Sequence, residues 1–204
     1  MKKLILLIIC FLPSTILLSQ EVRLFTNAFR NVDLSHPQAN LGVELKKEKN
    51  SISLTGGYFL YNFMFEEESN GFSIGTEYKL HKSNSFYYAL NLEYSKINYE
   101  TSNSFELDND TSQIYSTYLD DYQIEKSRFD INTKIGYRID IQRFYLDFFG
   151  GVGLRFKNTE HFERERPVDD FDPVFRLINI RDKEGKTITP ILKLGIIIGI
   201  KINK

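Results

Sequence analysis

Three histidines and two acidic runs are the residues of this chain whose types and spacing suit chemistry. His161 stands beside Glu160, Glu163 and Glu165, so a general base with an orienting carboxylate is conceivable there. No serine is tied to it by spacing, and a solvated loop histidine is the plainer reading. His36 and His81 lie in other connections. Asp108-Asn109-Asp110, within the acidic segment 98–123, is oxygen-rich like a calcium loop but lacks the glycine and terminal glutamate of an EF-hand. It reads as a solvated loop that can gather divalent cations. Segment 157–186 carries Arg164-Glu165-Arg166-Pro167 and Asp169-Asp170-Phe171-Asp172-Pro173-Val174-Phe175. Alternating charge with interspersed aromatics makes it the best surface for an unknown ligand or partner. None of these sets fixes a catalytic, cofactor or metal site, so the expectation is a non-enzymatic protein with no cofactor.

The elements that position these residues are strands. Apolar and polar residues alternate with period two over Phe72–Leu80, Phe86–Tyr94, Phe129–Ile139, Phe144–Phe156 and Ile188–Ile202, and more weakly over Ala39–Leu45 and Ile52–Leu60. Nothing after Gln20 shows a sustained helical period. The connections alternate strictly between tight (47–50, 81–85, 140–142) and long (62–71, 98–123, 157–186). If the tight turns share one end, Ala39–Leu45 runs toward it, and an earlier strand must run the other way. Val22–Arg30 is the candidate, although Phe25 and Phe29 fall off its phase; segment 31–38 is then the first long loop. The expected fold is all-β: an eight-stranded antiparallel up-and-down transmembrane β-barrel, with short periplasmic turns and longer outer loops.

Composition narrows the setting. Lys2 and Lys3, the apolar run Leu4–Leu12, Pro13 and the stretch Thr15–Ser19 have the layout of a secretory signal peptide. The expected division is residues 1–19 as signal and 20–204 as one barrel domain. The only cysteine, Cys10, falls in the signal, which removes disulfides and thiol chemistry from the mature chain. Cleavage removes two of 26 basic residues and leaves 24 against 27 acidic, a net charge of −3. No basic stripe remains for nucleic acid.

Volume and glycine placement choose the outward face. Roughly 35 large apolar side chains occupy the apolar phase, more than the interior of an eight-stranded barrel can hold. Gly42, Gly57, Gly75, Gly136, Gly151, Gly153, Gly195 and Gly199 occupy the polar phase with Glu44, Glu77, Glu93, Asp130, Asp147, Lys79, Lys134, Arg138, Arg155, Lys193 and Lys201. We read this face as an ion-paired, side-chain-filled lumen, with glycines making room for long charged neighbours and no aqueous pore.

The strands Tyr145–Arg155 and Pro190–Ile202 and the opening Asn40-Leu41-Gly42-Val43-Glu44 resemble the small outer-membrane β-barrel families of Gram-negative bacteria, the OmpA-like and OmpX-like class. The likeness runs over nearly the whole mature chain. It implies location in the outer membrane, contact with outer-membrane lipids and lipopolysaccharide, and insertion by the barrel assembly machinery. Members of the class commonly end on an aromatic residue, whereas this chain ends Ile202-Asn203-Lys204. A structural or surface-interaction role follows by analogy. A lipid A deacylase or acyltransferase is the alternative within the same membrane, and a soluble periplasmic barrel or sandwich binding protein the alternative outside it.

Overall fold

A computed structural model of the chain describes residues 21–28, 38–60, 69–83, 85–106, 117–165 and 183–202. The expected signal segment, His36, Asp108-Asn109-Asp110 and the aromatic part of 157–186 lie outside the described residues. Eight strands follow in order: β1 (Glu21–Asn27), β2 (Gln38–Lys47), β3 (Asn50–Phe59), β4 (Ser69–His81), β5 (Phe86–Glu106), β6 (Thr117–Ile141), β7 (Phe144–Phe162) and β8 (Gly185–Lys201). Each pairs antiparallel with its sequence neighbour, and β1 pairs with β8, so the sheet closes into one ring with no crossover. Among the described residues no helix is long and apolar enough to cross a membrane, which says nothing of strands.

The tight turns sit at one end. Lys47 pairs Asn50 across Glu48 and Lys49, and Ile141 pairs Phe144 across Gln142 and Arg143. Glu48 and Gln142 take left-handed backbone angles, φ 53° and 55°. At the β4–β5 turn the Ser83 hydroxyl caps the Phe86 amide at 3.0 Å.

The pleat separates two chemistries. Large apolar side chains face out and are exposed: Leu54, Ile74, Leu90, Ile135, Val152 and Leu194 among them. Arg23, Glu44, Lys79, Arg138 and Asp147 face in and are no more than 1% exposed. Two rows of aromatic rings bound the outer apolar face. Away from the turns, Tyr58 pairs Phe72, the Phe72 and Tyr94 rings lie 6.1 Å apart, and Tyr94, Phe129 and Phe156 are successive register partners. Nearer the turns, Phe86, Tyr137 and Phe148 are successive partners, with Tyr88 against Phe86 at 5.2 Å.

Three expectations need correction. Segment 98–123 is not one loop: β5 runs on to Glu106 and β6 starts at Thr117, and the two stay paired to the end. Beyond Tyr94 the phase reverses. Ile97, Tyr99 and Phe105 point inward and are buried with Phe59, Tyr122 and Ile124, while Asn98, Glu100, Ser102 and Asp121 point outward. A search for one continuous apolar phase ends where that reversal begins. His161 is likewise in β7 rather than a loop, and His81 ends β4 with 4% exposure rather than lying in the 81–85 connection.

Candidate functional site: the charged interior of the ring

The interior polar face is built by register. Arg23 on β1 is the direct partner of Glu44 on β2, and Arg138 on β6 of Asp147 on β7. Glu44 accepts a two-pronged bond from Arg138, with both nitrogen–oxygen distances 2.9 Å, and further bonds from Arg23 Nη1 (2.9 Å) and Lys79 Nζ (2.9 Å). Asp147 accepts from Arg138 Nη2 (2.9 Å), Lys79 Nζ (3.2 Å) and the Tyr87 hydroxyl (2.6 Å). Glu21 takes the remaining face of Arg23 through Nε at 2.6 Å. Glu77 bridges Lys134 and Lys79. Four cations thus meet four carboxylates.

Higher in the ring is a second group. Arg155 grips Asp130 with Nε and Nη2, both at 2.8 Å, and Lys193 reaches Glu93 (2.9 Å) and Asp130 (3.1 Å). Asn91 and Asn132 bond to each other between the two groups, at 3.2 Å. Ions this buried are tolerated only when paired and hydrogen-bonded on several sides, and both groups meet that requirement.

Aromatic rings complete the packing. Lys79 Nζ lies 4.7 Å from the Tyr87 ring centre, and the Arg138 guanidinium 4.6 Å from that of Tyr145. Four of these rings lie opposite glycine: Phe25 on Gly42, Tyr87 on Gly136, Phe149 on Gly195 and Tyr145 on Gly199. A Cβ on any of the four glycines would overlap the opposing ring. The expectation that glycine makes room for long charged side chains holds at Gly151, beside Lys134. At the four positions just named the occupant is an aromatic ring.

Every charged residue expected on this face is inward and paired, Lys201 with Asp140 at 3.0 Å near the turns. Sequence reasoning missed Arg23, Glu21 and the inward aromatics. Phe25 breaks the phase of its strand because it packs inward on Gly42. Had Glu44 been placed opposite β1, the parity rule would have put Arg23 beside it.

The histidine candidates are dispersed. The His161 ring lies edge-on to Tyr122 at 4.9 Å, while Glu160, one residue away on the same strand, is exposed on the opposite face. His81 meets the Ser51 hydroxyl at 3.0 Å inside the ring. Arg164 stacks on Phe105 at 4.0 Å. Among the described residues no group of three or more His, Cys, Asp or Glu side chains could hold a metal ion. No protein-family model, curated protein or solved structure matches the chain.

Proposed function

We propose that this chain is an integral outer-membrane β-barrel protein, exported by cleavage after residue 19, with a filled lumen and a structural or surface-interaction role. The reading follows the resemblance to OmpA-like and OmpX-like barrels. Its partners would be outer-membrane lipids, lipopolysaccharide and the assembly machinery.

One observation carries it. On β5 the apolar side chains face outward up to Tyr94 and inward from Ile97; on β6 the same reversal falls between Phe129 and Ile124. A strand in one solvent has no reason to change its apolar face midway. A strand that leaves hydrocarbon for water does. The aromatic rows support this, because girdles flank the hydrocarbon band of such barrels. Phe129 to Tyr137 on β6 and Phe148 to Phe156 on β7 are each eight residue steps. At about 3.3 Å per residue and a tilt of roughly 40°, the two aromatic rows stand about 20 Å apart, against about 25 Å for a typical apolar band. The β5–β6 ribbon then continues twelve residues past Tyr94, about 40 Å along the strand, with an outer face that is polar except for the exposed Leu119 and suited to contact outside the cell.

Val152, 60% exposed and midway between Phe148 and Phe156, supplies the test. In a bilayer V152R costs about 2–4 kcal/mol at mid-depth, whereas at a water-exposed site it changes stability by about 0.5 kcal/mol or less. Purified chain from residue 20 should fold only with lipid vesicles or detergent, scored by faster migration of unboiled samples, and V152R should lower the folded fraction. A chain that is monodisperse in plain buffer, with V152R as stable as the parent, overturns the proposal.

A further inference from the structure

The outer surface of the ring carries a groove directly above the aromatic row that lies away from the turns. Tyr58, the β3 member of that row, is exposed at one end, and Phe162 on β7, 45% exposed, stands at the other. Between them is a cavity of about 350 Å³. Register builds its floor. Asn70, Asn98 and Glu125 are successive partners on β4, β5 and β6; in the next row Glu100 pairs with Gln123, and Gln123 with Phe162. Parity turns these side chains outward, because Ile97, Tyr99 and Ile124 between them are buried inside. The groups are held sideways by one another. The Tyr58 hydroxyl donates to Asn70 Oδ1 at 2.9 Å, Gln123 Nε2 to Glu100 Oε1 at 3.3 Å, and Lys96 Nζ pairs with Glu125 Oε1 at 2.7 Å. Each bond uses one polar atom of an amide or carboxylate that has two, so bonding capacity remains on every group.

We propose that this groove binds the uncharged sugar headgroup of a glycolipid in the surrounding leaflet, an inference that rests on the membrane reading above. Flat groups with two polar atoms side by side match the adjacent hydroxyls of a sugar. A carboxylate accepts from two of them, and an amide donates to one and accepts from the other. The C–H face of a sugar ring carries weak positive charge and packs on the negative face of an aromatic ring, which Tyr58 and Phe162 offer at the two ends. Charge excludes the acidic alternatives. Glu100, Glu125 and Glu160, the outward partner of Glu125, outnumber Lys96, so a phosphate or an acidic sugar meets repulsion. The cavity is at the small end of ligand pockets, a size for a small headgroup rather than a protein. From β3 to β7 is four strand spacings of about 4.8 Å, about 19 Å in all, which leaves room for more than one sugar ring. Position favours a lipid over a free sugar. Tyr58 belongs to both the groove and the aromatic row, so a headgroup seated here lays its acyl chains beside the exposed Phe72 and Ile74.

The test uses the isotope-labelled, refolded chain in micelles of dodecyl dimethylamine oxide, a detergent without sugar. Migration of unboiled samples scores the barrel first. Dodecyl maltoside is then titrated in, and compared with dodecyl phosphocholine of equal chain length and with free maltose. With the maltoside, the side-chain amide NMR signals of Asn70, Asn98 and Gln123 should shift along one saturable curve, while those of Asn91 and Asn132, buried inside the ring, stay in place. Phosphocholine should give no such curve, and maltose a much weaker one. F162A and N98A, both at exposed positions, should each weaken the apparent Kd roughly two- to tenfold, and together at least about tenfold. Equal shifts with phosphocholine, unmoved amides, or parent-like binding by the double variant overturns the site. Maltose bound as tightly as the maltoside makes a soluble glycan the occupant and overturns the lipid. Should a variant not fold, the parent's three titrations decide. A chain already folded in plain buffer defeats the membrane reading and the lipid occupant together, whereas a micelle-bound barrel blind to the maltoside defeats the groove alone.

Discussion

Glu44→Gln is the most informative single change in the ring. Glu44 is 0% exposed and takes four bonds from Arg23, Lys79 and Arg138. Glutamine has the same shape but keeps only one oxygen. Its amide nitrogen would face Lys79 or an Arg138 nitrogen, donor against donor. The cluster would be left with three cations, Arg23, Lys79 and Arg138, against Glu21 and Asp147. Removing one partner from a buried ion pair costs about 3–5 kcal/mol. The four bonds at about 1.5–3 kcal/mol each sum to more, but Asp147 and the retained oxygen recover part of that. The folded-to-unfolded ratio should fall by at least about a hundredfold. With a urea slope of about 2 kcal/mol per molar, the midpoint drops by about 1.5–2.5 M. The chain contains no tryptophan, so far-ultraviolet circular dichroism of refolded protein is the assay. Removing the lysine as well, E44Q/K79M, restores charge balance and should recover at least half the loss. An E44Q protein within about 0.5 kcal/mol of the parent, or a double variant worse than either single one, would mean that water reaches these ions and that the interior is not a closed ionic core.

Glycine contacts give a paired comparison. Gly136→Ala drives a methyl into the Tyr87 ring and should cost about 1–3 kcal/mol, whereas Gly56→Ala has open space around it and should be near neutral; equal urea midpoints would contradict the packing. For the histidines, His161→Ala should leave lipid A unchanged in mass spectra of whole envelopes, because its ring packs on Tyr122 and its neighbour Glu160 points away; an altered acylation pattern would restore the enzyme reading for that residue.

The alternation of Phe72–Leu80 or Phe129–Ile139 needs no structure to be seen, because one side of the pleat must differ from the other whichever solvent is outside. Loop parity demanded an eighth strand, and β1 occupies it. The ends of the long strands were hidden for a physical reason. Ile97 and Tyr99 are as apolar as Leu92 and Tyr94 but lie on the other parity, so the stretch looks patternless until the reversal is recognised as a change of surroundings. Interior charge was legible as a set of residues on one phase. Its pairing was not: that Arg138 meets both Glu44 and Asp147 depends on which strands face each other across the ring. The register pairing of Arg128 on β6 with Lys157 on β7 was equally hidden, since 29 residues separate the two in sequence.

Glycine and charge are linked more closely than either pattern suggests alone. An eight-stranded ring has an interior just wide enough for side chains. The opposite-strand glycines let rings lie flat along the wall, and those rings keep water from the ions. Lys79 lies between Tyr87 and Phe25, and Arg138 against Tyr145. A drier interior strengthens each ion pair and raises the penalty for an unpaired charge. It also leaves no wide path for a hydrated ion past Glu44 and Asp147. The packing that makes the Glu44 cluster costly to disturb therefore argues against conduction. If Gly136→Ala loosens the Tyr87 contact, it should also lessen the cost of E44Q, because water admitted beside one ring would solvate the ions it shields. Simple additivity of those two changes would separate the ring packing from the ionic core.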